Sequence, residues 1–229
     1  MNVPPTTTNT LEVDHAFVAC APGAPEAGAL LELGLVEGSR NTHPGQGTAN
    51  RRFFFENFML EFVWVADEAE ATSAQTRRTR LWERCSNRQS GHSPFGIIFR
   101  PVSENASPPF QTWPYRPRYM PPDLPIGIAV GTTLEEPELF YLPVLRSQHR
   151  GSEPTDHALP LRRVQGVAAG VPDLAGLSAA SRSAERMGLV RYFESPAHVL
   201  EISFEGPPLR LDLRPVLPLV FCAAGGADH

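Results

Sequence analysis

Ala49-Asn-Arg-Arg-Phe-Phe-Phe-Glu-Asn-Phe-Met-Leu-Glu-Phe-Val-Trp-Val-Ala66 is the stretch whose reading decides the fold. Ala49–Glu56 and Phe58–Ala66 are rich in aromatic and β-branched residues, which predicts two strands. Glu56-Asn57 is the tight turn between them. Met59, Glu61, Val63 and Val65 share one face of the second strand. An acid in the middle of an otherwise apolar strand is costly unless it is paired, neutral or metal-bound. Glu61 is therefore the first candidate site residue. The plainer alternative is a carboxylate on the solvent side of a half-exposed sheet.

Upstream, the loop His43-Pro-Gly-Gln-Gly-Thr48 leads into this hairpin, and Leu35–Thr42 predicts a further strand. Ala24–Leu33 predicts a short helix that Gly34 is placed to end. Leu11–Cys20 alternates as a strand. Residues 11–67 thus spell one β-α-β-β-β unit. Downstream, residues 68–93 are polar and Arg-rich and read as a long connection with a short helix near Thr79–Arg84. Phe95–Val102, Gln111–Tyr119, Pro125–Gly131 and Leu139–Leu145 predict strands of a second unit without a clear helix. In a third unit, Arg163–Gly170 is a strand, and Asp173 caps a helix through Met187. Val190–Glu194, His198–Glu205 and Leu209–Leu213 follow as strands. The repeat predicts an α+β fold, in which βαβββ units pair edge to edge into a half-open, cup-shaped mixed sheet. Residues 11–222 form the domain, with units at 11–67, 94–145 and 162–214. Residues 1–10 and 223–229 read as disordered tails.

Composition narrows the function classes. The chain has 229 residues, 24 Pro and 18 Gly, too many helix breakers for a long helical bundle. All 20 basic residues are Arg. Without lysine there is no Schiff-base or P-loop chemistry. A net charge of -5 argues against a nucleic-acid partner. The pairs Arg51–Arg52, Arg77–Arg78 and Arg162–Arg163 read as solvated surface. No apolar stretch approaches the ~20 residues of a membrane span. Three dispersed cysteines and the lack of a signal peptide predict a cytoplasmic location. Arg in place of Lys in an Ala- and Pro-rich chain points to a GC-rich bacterial genome.

Several residues could carry chemistry in the cup. On its strand His15 shares a face with Val13 and Phe17, opposite Asp14, Ala16 and Val18, and is either a buried structural imidazole or a ligand. Together, His15 and Glu61 suit a divalent transition metal. Two glycines let the 43–50 loop approach closely, with His43, Thr48 and Asn50 offering polar groups at the mouth. Trp113, Tyr115 and Arg116 in WPYRPRY could line a pocket for an aromatic or anionic molecule, with Phe95 beside them. The alternative is a Pro-interrupted edge strand. Asp212 occupies, in the third unit, the place Glu61 holds in the first.

The Asp14-His15 start, the His43-Pro-Gly-x-Gly-Thr-x-Asn50 loop and the Leu60-Glu61 strand resemble the glyoxalase-like group of the vicinal-oxygen-chelate superfamily. The resemblance implies paired βαβββ units around a metal, with one ligand from the first and one from the last strand of each unit. By position, His15 and Glu61 match the ligands of the first unit. The second unit departs from the pattern, with Gly96 and Ile98 on its first strand and Gly127 and Ile128 on its last.

Two functions follow. One is a divalent-metal-dependent lyase, isomerase or oxygenase acting on a small oxygenated metabolite, with Glu61 or His43 moving a proton. The other is a metal-free protein of the same fold that sequesters a small molecule. Which units pair, and whether within one chain or across a homodimer, is open at this level.

Overall fold

The quoted hairpin forms in the computed structural model, which describes residues 10–86, 91–104, 106–145 and 152–225. The predicted tails fall mostly at 1–9 and 226–229, outside the described residues. Strands β3 (Thr48–Phe54) and β4 (Met59–Val65) pair antiparallel from Thr48–Val65 to Phe54–Met59. The first strand, β1 (Leu11–Ala19), lies parallel to β4. Between β1 and the hairpin, Pro25–Ala27 makes a 3-10 turn that runs into helix α1 (Gly28–Glu32). Gly34, at φ +82°, lets the chain reverse where a side chain would be strained. Strand β2 is confined to Asn41–His43, shorter than the predicted 35–42. Residues before it are used otherwise: Leu35 is buried, and Glu37 holds Arg51.

The second unit adds β5 (Phe95–Pro101), β6 (Thr112–Tyr115), β7 (Ile126–Ala129) and β8 (Glu138–Tyr141). β5 runs antiparallel to β1, and β8 runs parallel to β5. The eight strands lie in the order β2-β3-β4-β1-β5-β8-β7-β6. Two units therefore meet through their first strands within one chain, which gives the half-open mixed sheet that the repeat predicts. The last strand of the second unit is β8, so Gly127 and Ile128 belong to its penultimate strand.

The third unit does not copy the first. Its strands are β9 (Val164–Val171), β10 (Arg191–Glu194), β11 (Val199–Phe204), β12 (Leu209–Asp212) and β13 (Leu219–Ala223), in the order β10-β9-β11-β13-β12. β9 pairs antiparallel with β11, as β1 does with β5, and each has a parallel neighbour. The second sheet is thus a shortened version of the whole first sheet, built from two reduced units, β9-α4-β10 and β11-β12-β13. Helix α4 (Ala179–Arg186) is capped by Ser178, whose hydroxyl accepts from the Ser181 N–H; Asp173 lies one turn too early to cap it. β13 extends to Ala223, into what reads from sequence as tail. Asp212 sits exposed on the edge strand and pairs with Arg214, far from the role of Glu61.

One face of each sheet meets in a shared core. Phe55 packs edge-on to Phe204 at 5.0 Å, and Phe204 to Phe221 at 5.5 Å. Phe53, Phe62, Phe95 and Phe99 complete the first sheet's contribution. The opposite face of the larger sheet is concave and carries Phe17, Val63, Ile98, Tyr115, Ile128 and Phe140. Beyond β4 come helix α2 (Glu68–Ala71) and helix α3 (Leu81–Ser86), which closes one end of that face through Leu81. No described helix is long and apolar enough to cross a membrane.

Candidate active site on the concave face

A bulge in β1 shapes the site. Val13 pairs with Phe99 and His15 with Ile98, so Asp14 is an extra residue in the ladder. Val13 consequently packs into the inter-sheet core, while Asp14 and His15 both line the cup. Simple alternation had placed Asp14 opposite His15. The Asp14 Oδ2 contacts His15 Nδ1 at 2.5 Å, and its Oδ1 accepts from Arg100 at 2.6 Å. Arg100, buried on the neighbouring strand, also donates to Glu12 at 2.7 Å.

Glu61 follows from the register. His15 sits beside Met59 and Phe17 beside Glu61, so His15 and Glu61 are diagonal neighbours on the concave face. Glu61 is 9% exposed, and its Oε1 accepts from the Asn50 amide at 3.0 Å. Asn50 is fully buried, and its own Oδ1 accepts from the Asn41 backbone, fixing the amide's orientation.

A hydrogen-bonded chain forms the wall next to it. The Tyr119 hydroxyl donates to Gln46 Oε1 at 3.0 Å, and Gln46 Nε2 donates to Thr48 Oγ1 at 2.8 Å. The Thr48 hydroxyl is 2.8 Å from His43 Nδ1. With one proton and two lone pairs, the Thr48 hydroxyl serves Gln46 as acceptor and His43 Nδ1 as either donor or acceptor. Burial lowers the His43 pKa, opposed by the Glu61 charge and assisted by Arg52 and His15. The His43 ring also stacks on Tyr119 at 4.8 Å. Burial pushes the Tyr119 hydroxyl far above its usual range and Tyr115 up to about 12.

These groups surround a cavity of about 350 Å³. Its two walls differ in chemistry. The first unit supplies the polar residues Asp14, His15, His43, Gln46, Arg52 and Glu61, together with the apolar Phe17, Met59 and Val63. The second unit supplies Ile98, Tyr115, Ile126, Phe140 and Leu142. The Tyr115 hydroxyl is buried there with no hydrogen-bond partner among the described residues, and the residue is only 4% exposed. A larger cavity of about 500 Å³ beside Val102, Val164 and Arg191 contains none of the candidate residues.

The sequence-derived candidates divide accordingly. His15, His43, Glu61 and Tyr115 line the cup, and Thr48 and Asn50 support it from behind. Phe95 does not: it is fully buried in the inter-sheet core, on the other face of β5. Arg116 is exposed, and only its carbonyl is engaged, by Gln75. Trp113 packs at the margin under the Arg78 guanidinium, 4.2 Å from the ring centre. Asp14, Gln46, Arg52 and Tyr119 are site residues that the sequence reading missed. Gln46 lay inside the singled-out loop, and Tyr119 ended the WPYRPRY segment. The Arg51–Arg52 pair is not solvated surface: Arg51 is buried against Glu37, and Arg52 lines the cup.

A four-ligand metal centre needs donors from both units. In β5 and β8 the places facing His15 and Glu61 hold Gly96, Ile98 and Phe140. Glu138 on β8 is fully buried and bound by Arg80, Arg84 and Thr132. No group of three His, Cys, Asp or Glu that could hold a metal occurs among the described residues. The donor set is two residues on one wall, and it does not fit the four-ligand centre.

No protein-family model matches the chain, and no curated protein matches it. Solved structures do. A hypothetical protein from Staphylococcus aureus aligns with a TM-score of 0.51 at 9% identity, over 94% of this chain and 99% of that one. A xylose isomerase-like TIM barrel/4-hydroxyphenylpyruvate dioxygenase fusion protein aligns at 0.46 and 12% identity, over 90% of this chain and 38% of that one. A triple mutant of 4-hydroxymandelate synthase from Streptomyces coelicolor aligns at 0.45 and 12% identity, over 95% of this chain and 63% of that one. The Staphylococcus aureus likeness concerns the fold alone. The mixed sheets and the joining of units through β1 and β5 give the half-open α+β arrangement.

Proposed function

We propose that the concave face of the larger sheet binds a small organic molecule with a polar end and an apolar body. The split of the cavity into a hydrogen-bonding wall and an apolar wall carries this reading. Concave, mostly apolar pockets with a few fixed polar groups suit ligands of this kind. Gln46, Thr48 and Asn50 hold the polar groups in place before any ligand arrives, so little ordering cost accompanies binding.

A second, catalytic reading is favoured by one contact, the 2.5 Å approach of Asp14 to His15. A carboxylate at Nδ1 orients an imidazole for proton transfer through its other nitrogen, and Glu61 lies diagonally beside it. The same arrangement suits a metal-ligating histidine. A divalent ion would rest on His15 and Glu61 alone among the described residues.

A thermal-shift screen of small aromatic and oxygenated compounds tests the binding reading. Hits should raise the melting temperature of the native chain and lose that effect in Ile126→Trp, which fills the mouth of the cup. Hits that stabilise both proteins equally would place the site elsewhere. Metal analysis of untagged protein separates the two readings. Near-stoichiometric metal that is lost in His15→Ala would support the catalytic one.

A further inference from the structure

The inference rests on the cup as a ligand site and concerns what that ligand is. Glu61 is buried and accepts from the neutral Asn50 amide; it forms no ion pair with the described residues. Arg52 stands opposite Glu61 across β3 and β4 and lines the same cavity, but its contacts lie elsewhere. Its Nε donates to the Ser39 carbonyl at 2.7 Å, another donor reaches the Ser39 hydroxyl, and Glu153 stands 3.6 Å away. The Arg52 guanidinium also covers the Phe54 ring at 5.2 Å. Its polar contacts are thus on the Ser39–Glu153 side. Arg100 is likewise committed to Asp14 and Glu12. A buried carboxylate with one neutral partner is a costly arrangement unless a donor or a positive charge completes it.

On the apolar wall the shortage is of the opposite kind. The Tyr115 hydroxyl is buried and lacks a partner among the described residues, and Tyr115 lines the cavity. A phenol at that place needs an acceptor. The rings of Phe17, Phe140 and Tyr119 also line the cavity, with Phe17 and Phe140 5.8 Å apart. Such rings favour a flat aromatic body and tolerate a cation at its edge.

We propose that the cup selects an aromatic amine: an ammonium group against Glu61, a single ring between the aromatic side chains, and an oxygen acceptor against the Tyr115 hydroxyl. An anionic head group is disfavoured, because it would meet Glu61 while Arg52 is engaged by Ser39 and Glu153.

Three phenols of one shape test this: tyramine, tyrosol and para-hydroxyphenylacetate, which differ only in an ammonium, hydroxyl or carboxylate head. Binding is measured by calorimetry on protein treated with a chelator. Tyramine should bind about ten-fold tighter than tyrosol, and the carboxylate more weakly still. Glu61→Gln should bring tyramine and tyrosol to equal affinity while leaving tyrosol binding intact. Tyr115→Phe should weaken tyramine and tyrosol alike by about five-fold. Retained tyrosol binding reports that each variant is folded. Carboxylate binding as tight as tyramine, or tyramine binding that appears only with added divalent metal, would overturn the proposal. If none of the three binds but a hydrophobic dye enters the cup and is blocked by Ile126→Trp, the amine assignment fails while the ligand site stands. If the dye also ignores Ile126→Trp, the reading of the cup itself fails.

Discussion

Asn50 and Glu61 show how one residue sets the terms for another. The amide of Asn50 is held by Asn41 on one side and gives its N–H to Glu61 on the other. Removing it leaves a buried carboxyl oxygen without a donor, which costs about 1–3 kcal/mol. Asn50→Leu should therefore lower stability by that amount in urea denaturation, and a neutral result would mean that Glu61 is reached by water. Asp14 acts through position more than partnership. As the extra residue of a bulge it brings two consecutive polar side chains to one face. Alternation along LEVDHAFVAC identified His15 but put Asp14 on the wrong side, because a period of two cannot register an inserted residue. Glu61 was legible for a simpler reason: a charge in an apolar strand is conspicuous wherever the strand lies.

At the scale of elements, helix α3 and the strap at 152–161 matter most; a short helix near Thr79–Arg84 is legible in the sequence, whereas 152–161 carries no pattern that assigns it. Arg84 of α3 is fully buried. It donates to the carbonyls of Ser93 at 2.7 Å, Thr133 at 3.0 Å and Glu136 at 3.0 Å, and lies 3.5 Å from Glu138. This pins the helix that closes the end of the cup. Arginine in a polar segment reads as surface, and only the fold shows that four backbone and side-chain acceptors converge on it. Arg84→Met should cost about 3–5 kcal/mol, the penalty for breaking a buried pair on one side. It should also loosen the cup, which would register as faster hydrogen exchange in β8 and α3. Arg84→Met stability within ~1 kcal/mol of the native chain would contradict this account.

The strap is held by His157. Its Nδ1 accepts from the Val36 N–H at 3.1 Å, and its Nε2 donates to the Phe54 carbonyl at 2.9 Å. Only the neutral ring can do both, since a proton on Nδ1 would face the Val36 N–H. Burial lowers the pKa of His157, outweighing the bond to Phe54 and the charge of Asp156. A histidine whose folded pKa lies below its unfolded value of 6.5 stabilises the fold above that pH. The contribution falls as the pH drops through 6.5 toward the folded pKa. His43 and His198 are shifted the same way, chiefly by burial. Stability measured by denaturant titration should decline between about pH 7.5 and about pH 5, and His157→Gln should flatten that decline. An unchanged slope in the variant would show that the ring titrates freely.

At the scale of the whole molecule, the two sheets share one core and one topological plan. Phe55, Phe204 and Phe221 join the larger sheet to the smaller. Phe204→Ala should cost about 3–5 kcal/mol and lower a single melting transition that both sheets share. Two separate transitions would show that the sheets fold independently. The first unit and its α+β class were legible because local pattern determines them: a helix ended by Gly34, a strand before it, a hairpin after it. The second sheet was not, because its order depends on which distant strands pair. Local periodicity describes β11, β12 and β13 equally well in several orders. The pairing of the first two units through β1 and β5 leaves a polar wall and an apolar wall facing each other across the concave side, and the proposed function rests on that opposition.

The most direct test of it is methyl-labelled nuclear magnetic resonance with phenol as the probe. Saturable shifts at the methyls of Ile98, Ile126 and Leu142, with Val102, Val164 and Val167 unmoved, are the predicted result. Shifts concentrated at Val102, Val164 and Val167, or no saturable shift in the cup, would contradict the account.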